Sequence, residues 1–161
     1  MKPKVAFFDF SGCEGCQLAV LNLESEIVDL VGHVDIVNFR EAISDRGQDY
    51  DIAFIEGSIT TPHCVERINV IRSKAKILVT IGSCSSIAGI NAIRNDKPMD
   101  DIREAVYGDK RYWFSSLPAL PVSSVVKVDF AIPGCPLNEH EFLRIVRDIL
   151  IGKTPKIPEY P

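Results

Sequence analysis

No apolar run in this sequence approaches the ~20 residues that span a bilayer. No export leader is expected either: Met1-Lys2-Pro3-Lys4 is followed only by a strand-length apolar stretch, so neither a secretory nor a twin-arginine signal is visible. Basic excess is missing as well. Eighteen Lys and Arg against 22 Asp and Glu leave a net charge of −4, which argues against non-specific binding to a nucleic-acid backbone. Nucleotide fingerprints are absent: no GxGxxG follows the first predicted strand and no GxxxxGK(S/T) occurs, so nicotinamide and P-loop readings lose support. There is no internal repeat and no low-complexity segment. What remains is a chain of 161 residues, 46% hydrophobic and 25% charged, with room for a real core and no need of disulfide staples. The expected compartment is the cytoplasm, where thiols stay reduced. Five cysteines, an odd number, are therefore the feature to explain.

Short apolar runs alternate with helix-period stretches, the pattern of βαβ units around a parallel sheet. Strands are predicted at 4–9, 33–39, 51–56, 76–81 and 125–132. Helices are predicted at 17–31 (ended by Gly32), 62–74 (Pro62 in its first turn), 99–107 and 139–151. Gly82-Ser83-Cys84-Ser85-Ser86 opens a turn, and 110–124 reads as irregular. The fold class is α/β: a flavodoxin-like doubly wound parallel sheet of about five strands. It occupies residues 1–152 and is followed by an extended Pro-rich tail, 153–161. Ligands of such sheets sit outside the carboxyl ends of the strands.

That rule gives the cysteines a geometry. Cys13 and Cys16 follow the first strand, Cys84 the fourth and Cys135 the fifth, so all four thiols should emerge at one sheet edge. Cys13-Glu14-Gly15-Cys16 taken alone also suits a thioredoxin-like redox pair or half a zinc site. Two further thiols, each preceded by glycine within two residues, speak against the redox pair. Gly134-Cys135-Pro136 has the Cys-Pro form common in iron–sulfur ligation, and zinc sites usually take two close CxxC pairs where this chain has one pair and two singletons. The set favours a four-cysteine iron–sulfur cluster, with structural zinc as the competitor. Cys64 reads as a buried, inert helix cysteine. His33, His63 and His140 lack ligand spacing. Glu14 and Glu56 flank the proposed edge, Glu14 reading as an exposed loop residue. Asp45, Arg46 and Asp49 read as a solvated loop. Tyr112, Trp113 and Phe114 either pack the irregular segment or meet a partner.

Ser11-Gly12-Cys13-Glu14-Gly15-Cys16, Ile55-Glu56-Gly57-Ser58-Ile59, Ile81-Gly82-Ser83-Cys84 and Ile132-Pro133-Gly134-Cys135-Pro136 together resemble, in order, the small subunit of nickel–iron hydrogenases. The resemblance runs from the first strand to Gly152-Lys153-Thr154-Pro155. A related family is the small cluster-bearing subunit of respiratory complex I, which typically has adjacent cysteines where this chain has CxGC. The resemblance implies that Cys13, Cys16, Cys84 and Cys135 bind one proximal 4Fe-4S cluster and that no catalytic residue lies in this chain. It further implies a large partner subunit holding the nickel–iron centre, and further iron–sulfur or flavin electron-transfer subunits. No nucleic-acid partner and no direct membrane span are expected. Gln17-Leu18 departs from the family, many of whose members carry Glu after the second ligand. Leu137 departs where a second proline is frequent. The cluster-rich C-terminal domain of periplasmic uptake hydrogenases is not expected. The chain therefore resembles the cytoplasmic multi-subunit types linked to NAD(P), ferredoxin or coenzyme F420. Alternatives are a complex-I-like or membrane-bound energy-converting module and a zinc-stabilised interaction module.

Overall fold

The computed structural model describes residues 2–23 and 25–157. Its centre is a five-stranded, wholly parallel sheet of order β2-β1-β3-β4-β5. The strands are β1 (Lys4–Asp9), β2 (Asp35–Asn38), β3 (Ile52–Glu56), β4 (Ile77–Ile81) and β5 (Phe130–Ile132). Strand β3 is buried at every position, as expected of a central strand covered on both faces. Alternate residues serve two cores. Val5, Phe7, Ile52, Phe54, Val79 and Ile81 face one, and Ala6, Phe8, Ala53, Ile55 and Leu78 face the other.

The first core is covered by α1 (Gly15–Leu21), α2 (Ser25–His33) and α6 (Glu139–Leu150). Phe7 stacks on Phe39 and Phe54 at 4.2 and 4.8 Å between ring centres, and Phe54 tilts against Phe142 at 5.4 Å. Each buried ring contributes roughly 1.5–3 kcal/mol by area alone. Helix α6 starts where the Asn138 side chain accepts from the Glu141 N–H at 2.9 Å. The second core lies beneath α3 (Pro62–Lys74), whose Ile68 and Ile71 are buried. Thr61 caps α3 by accepting from the Cys64 N–H at 3.1 Å, and Pro62 takes its first position.

Two elements differ from the expectation. The helix expected at 17–31 is two helices, broken at Asn22, a residue type of low helix propensity. There the Leu23 N–H falls back to the Val20 carbonyl at 3.4 Å, a tighter turn than the α-helix makes. Gly32 does not end the second piece; α2 reaches His33, whose Nδ1 meets the Asp29 carbonyl at 2.9 Å. The last strand is shorter than 125–132. The Val125 and Val126 N–H groups both donate to the Val122 carbonyl, so this stretch curls and sinks Val122 and Val126 into the second core.

The segment after β4 is also more ordered than the expected turn, forming α4 (Gly82–Ile87) and a 3-10 stretch, Gly89–Asp96. Helix α5 (Met99–Tyr107) lies as expected. In the irregular segment Phe114 stacks on Tyr107 at 4.2 Å, and Tyr112, Trp113 and Phe114 are all exposed. Beyond α6 the tail carries no helix or strand through residue 157 and turns back along α6, where Arg144 donates to the Lys156 carbonyl at 2.5 Å. The rest of the expected tail, 158–161, lies outside the described residues. Among the described residues no helix is long and apolar enough to cross a membrane.

Candidate functional site

Because every strand runs the same way, the loops after β1, β3, β4 and β5 leave the sheet at one edge. They are stitched to one another. The Phe10 N–H donates to the Glu56 carbonyl at 2.8 Å, and Ser11 and Ser58 exchange backbone hydrogen bonds at 3.2 and 2.8 Å. Asn91 clamps this pair, its Nδ2 donating to the Ser11 carbonyl at 2.8 Å and to Ser58 Oγ at 2.9 Å. On the other side the Ser83 N–H donates to the Gly134 carbonyl at 2.7 Å, and Gly134 and Leu137 pair across a tight turn that presents Cys135. The Cys135–Pro136 peptide is cis.

Cys16 sits in the first turn of α1 and Cys84 in α4, while Cys13 and Cys135 lie on the loops. Exposure separates them: Cys16 is buried, Cys84 half-buried, and Cys13 and Cys135 exposed. Cys13 and Cys135 act on the two more buried thiols. Burial raises the pKa of Cys84, and negative charge on Cys13 and Cys135 raises it further. Cys16 is pushed up to about 12, chiefly by burial, with Glu56, Cys13 and Cys135 adding to the effect. Backbone N–H groups oppose this at both: that of Leu137 favours the Cys16 thiolate and that of Ile90 the Cys84 thiolate.

Two glycines allow this packing. Gly82 has φ +82°, and a Cβ there would collide with Cys16 Sγ. Gly89 has φ +51°, and its Cβ would meet Cys84 N and Sγ at 3.0 and 3.1 Å. Side chains at either position would crowd a sulfur and strain the backbone.

The carboxylate of Glu56, at the end of β3, is buried beneath the site. Its two oxygens accept from the Cys16 and Gln17 N–H groups at 3.0 Å each, satisfying two orphan donors of α1. Sequence reasoning placed Glu56 beside the site but missed this role. The available signal was an acidic residue closing an otherwise wholly apolar strand. Asn91 was missed altogether. Gln17, next to Cys16, is 1% exposed, and neither Oε1 nor Nε2 finds a hydrogen-bond partner among the described residues. Glu14 is half-buried rather than exposed, in the left-handed region at φ 61°, and its carboxyl is raised by desolvation and then by nearby Glu41.

Cys64 stands apart on α3, its Sγ accepting from Thr61 Oγ1 at 3.2 Å; it is half-buried rather than buried. His33, His63 and His140 are exposed and scattered. Among the described residues no three His, Cys, Asp or Glu side chains are arranged to close round a single metal ion.

The burial of Cys16 has a measurable consequence. A thiol whose folded pKa exceeds its ordinary 9.0 contributes stability that is complete below that value and lost as pH climbs toward about 12. The metal-free, reduced chain should therefore unfold at lower urea concentration above pH 9 than below it. Cys16→Ala should flatten that dependence, and an unchanged slope would count against the burial.

Four thiols, each with a glycine within two residues and two of them receiving backbone N–H groups, have the donor chemistry that a thiophilic centre takes. Sulfhydrogenase 2 subunit delta of Pyrococcus furiosus is 31% identical over 160 residues, covering 98% of this chain and 66% of that protein. The iron-sulfur subunit of the F420-non-reducing hydrogenase of Archaeoglobus profundus is 25% identical over 187 residues, covering 96% of this chain and 58% of that protein. This chain thus spans less than two thirds of the length of either relative. Among solved structures, a chain of an NAD+-reducing nickel–iron hydrogenase in its H2-reduced state superposes with a TM-score of 0.88 at 25% identity, covering 98% of this chain and 96% of that one. The sequence model of one family, described as NADH ubiquinone oxidoreductase, 20 Kd subunit, matches residues 13–149, nearly the whole stretch from the first cysteine to the last helix. The chain belongs to the NADH ubiquinone oxidoreductase 20 kDa subunit family.

Proposed function

We propose that this chain is the small, electron-transfer subunit of a multi-subunit nickel–iron hydrogenase, working in the cytoplasm, and that Cys13, Cys16, Cys84 and Cys135 hold one 4Fe-4S cluster. The observation that carries the reading is the gathering of those four thiols where the loops after β1, β4 and β5 leave one sheet edge, while Cys64 packs under α3 against the second core. The residues fit the group. The donors are all thiols, glycines leave the space beside Cys16 and Cys84 open, and Gln17 offers a buried, unpartnered amide next to Cys16. The cluster, when bound, supplies reversible one-electron chemistry. The chain's own contribution is positioning and electrostatics. Cys16 and Cys84 are carried on helices, and Glu56 fixes the first turn of α1. The Leu137 and Ile90 N–H groups stabilise negative charge on the sulfurs. The P. furiosus relative and the NAD+-reducing hydrogenase support a large partner subunit with the nickel–iron centre, together with further redox subunits.

Iron, sulfide and zinc analysis of the purified protein, with spin resonance after reduction, tests this. Iron and sulfide in the ratio of a single 4Fe-4S cluster are expected; bound zinc without iron would overturn the reading. The family match also supports a second reading, a complex-I-like or energy-converting module carrying the same cluster. The co-purifying large subunit separates the two, because two CxxC motifs in that chain belong with a nickel–iron centre.

A further inference from the structure

Strands β2 and β3 flank β1, so the connection between them, residues 39–51, must cross over β1. A parallel crossover of this kind usually carries a helix that covers the sheet. This one carries none. It folds back at 42–43 onto the Phe39 carbonyl and pairs with β2 through an Asn38–Arg46 bridge. A cavity of about 670 Å³ is left between this connection, the ends of β1 and β2, and α3. Asp9 and Asn38, which end β1 and β2, line it on the side of the sheet where open α/β folds take ligands. No cysteine lines it.

Its polar wall is basic. Arg40, Arg46 and Arg67 face two carboxylates, Asp9 and Glu66. Asp9 serves two of the arginines at once, with Arg40 at 3.1 Å and Arg67 at 3.6 Å. Arg46 has no carboxylate partner among the described residues; its Nη1 donates to the Ile43 and Asp45 carbonyls at 2.6 and 2.8 Å, leaving Nε and Nη2 for other acceptors. Arg67 is held in place, donating to the Asp9 carbonyl at 2.5 Å with its guanidinium 4.7 Å from the Phe10 ring centre. A bridge in the backbone fixes Arg46 and a carbonyl with a ring fixes Arg67, so both forks are oriented before any ligand arrives. Oriented guanidinium forks suit phosphate oxygens, which they bind bidentately. The volume falls within the roughly 300–1,000 Å³ of small-molecule sites.

We propose that this cavity binds a phosphate-bearing small molecule of nucleotide size, its phosphate held by Arg46 and Arg67 with Arg40 at the rim. The inference is independent of the cluster. Equilibrium dialysis of the purified protein, with whatever subunits accompany it, against radiolabelled ADP at low salt tests it. Saturable uptake approaching one ADP per chain is expected, displaced by inorganic phosphate and weakened by salt. Arg46→Gln should weaken uptake about tenfold or more, the scale of a lost charge-assisted pair. Arg46→Lys should fall between, and Lys153→Gln, on the tail, should change nothing. Should Arg46→Gln fail to fold, Arg40→Gln is read the same way. No saturable uptake of ADP, or uptake that phosphate and the arginine changes leave untouched, would overturn the proposal. So would loss of an accompanying subunit from Arg46→Gln when the unaltered protein takes up no ADP, since the arginines would then serve a protein interface.

Discussion

Cys84→Ser is expected to strip most of the bound iron or convert the cluster, whereas Cys64→Ser leaves iron content and the reduced-state spin signal intact. The contrast follows from where the two sulfurs lie. Cys84 Sγ stands in the cradle left by Gly89, within the electrostatic reach of Cys13 and Cys135 and under the Ile90 N–H. A serine hydroxyl there is a harder, more reluctant ligand for a thiophilic centre. Cys64 Sγ is already engaged by Thr61 and packs on the core beneath α3. Since binding of a metal centre is coupled to folding, Cys84→Ser should also lower the melting temperature of the loaded protein. Equal loss of iron in the two variants would overturn the ligand assignment.

Glu56→Ala should cost the fold about 3–5 kcal/mol, the scale of stripping the partner from buried charged hydrogen bonds. Both carboxylate oxygens are used, one on the Cys16 N–H and one on the Gln17 N–H, and Glu56 is only 3% exposed. Alanine would leave both donors buried without acceptors. A domain is stable by only about 5–15 kcal/mol, so this loss is a large fraction of the total. Glu56→Gln should cost about half as much, because its amide oxygen satisfies one N–H while its NH2 opposes the other. Urea unfolding of the three proteins checks the order. The same series should lose cluster in the same order, because α1, seven residues long, is too short to hold Cys16 in place unaided. Equal stability of Glu56→Ala and the unaltered chain would remove Glu56 from this role.

Local signals accounted for much of the fold. Lys4–Asp9 and Ile52–Glu56 are apolar runs of strand length, and Pro62 marks a helix start that the structure reproduces. The misread elements depended on tertiary competition. Val125 and Val126 have strand propensity, yet the second core takes Val122 and Val126 by curling the chain. Asn22 broke a helix whose apolar period continued across it. The convergence of Cys13, Cys16, Cys84 and Cys135 was legible because parallel strands release their loops at one edge, and chain order alone says which loops those are. Glu56 and Asn91 were harder to read. Each joins loops far apart in sequence, and such cross-links leave no periodic trace. Arg46 reads as a solvated loop residue and is exposed; what chain order does not tell is that a crossover without a helix sets it across from α3.

Burial grades the four thiols, with Cys16 against the first core, Cys84 half-buried, and Cys13 and Cys135 toward the outside. A redox centre seated among them would be insulated on one side by packed side chains and bare on the other. Electron tunnelling is steeply attenuated by distance, so the short routes in and out would all leave through the bare hemisphere. Donor and acceptor would then have to crowd onto the same half of the surface, competing for room around a single window.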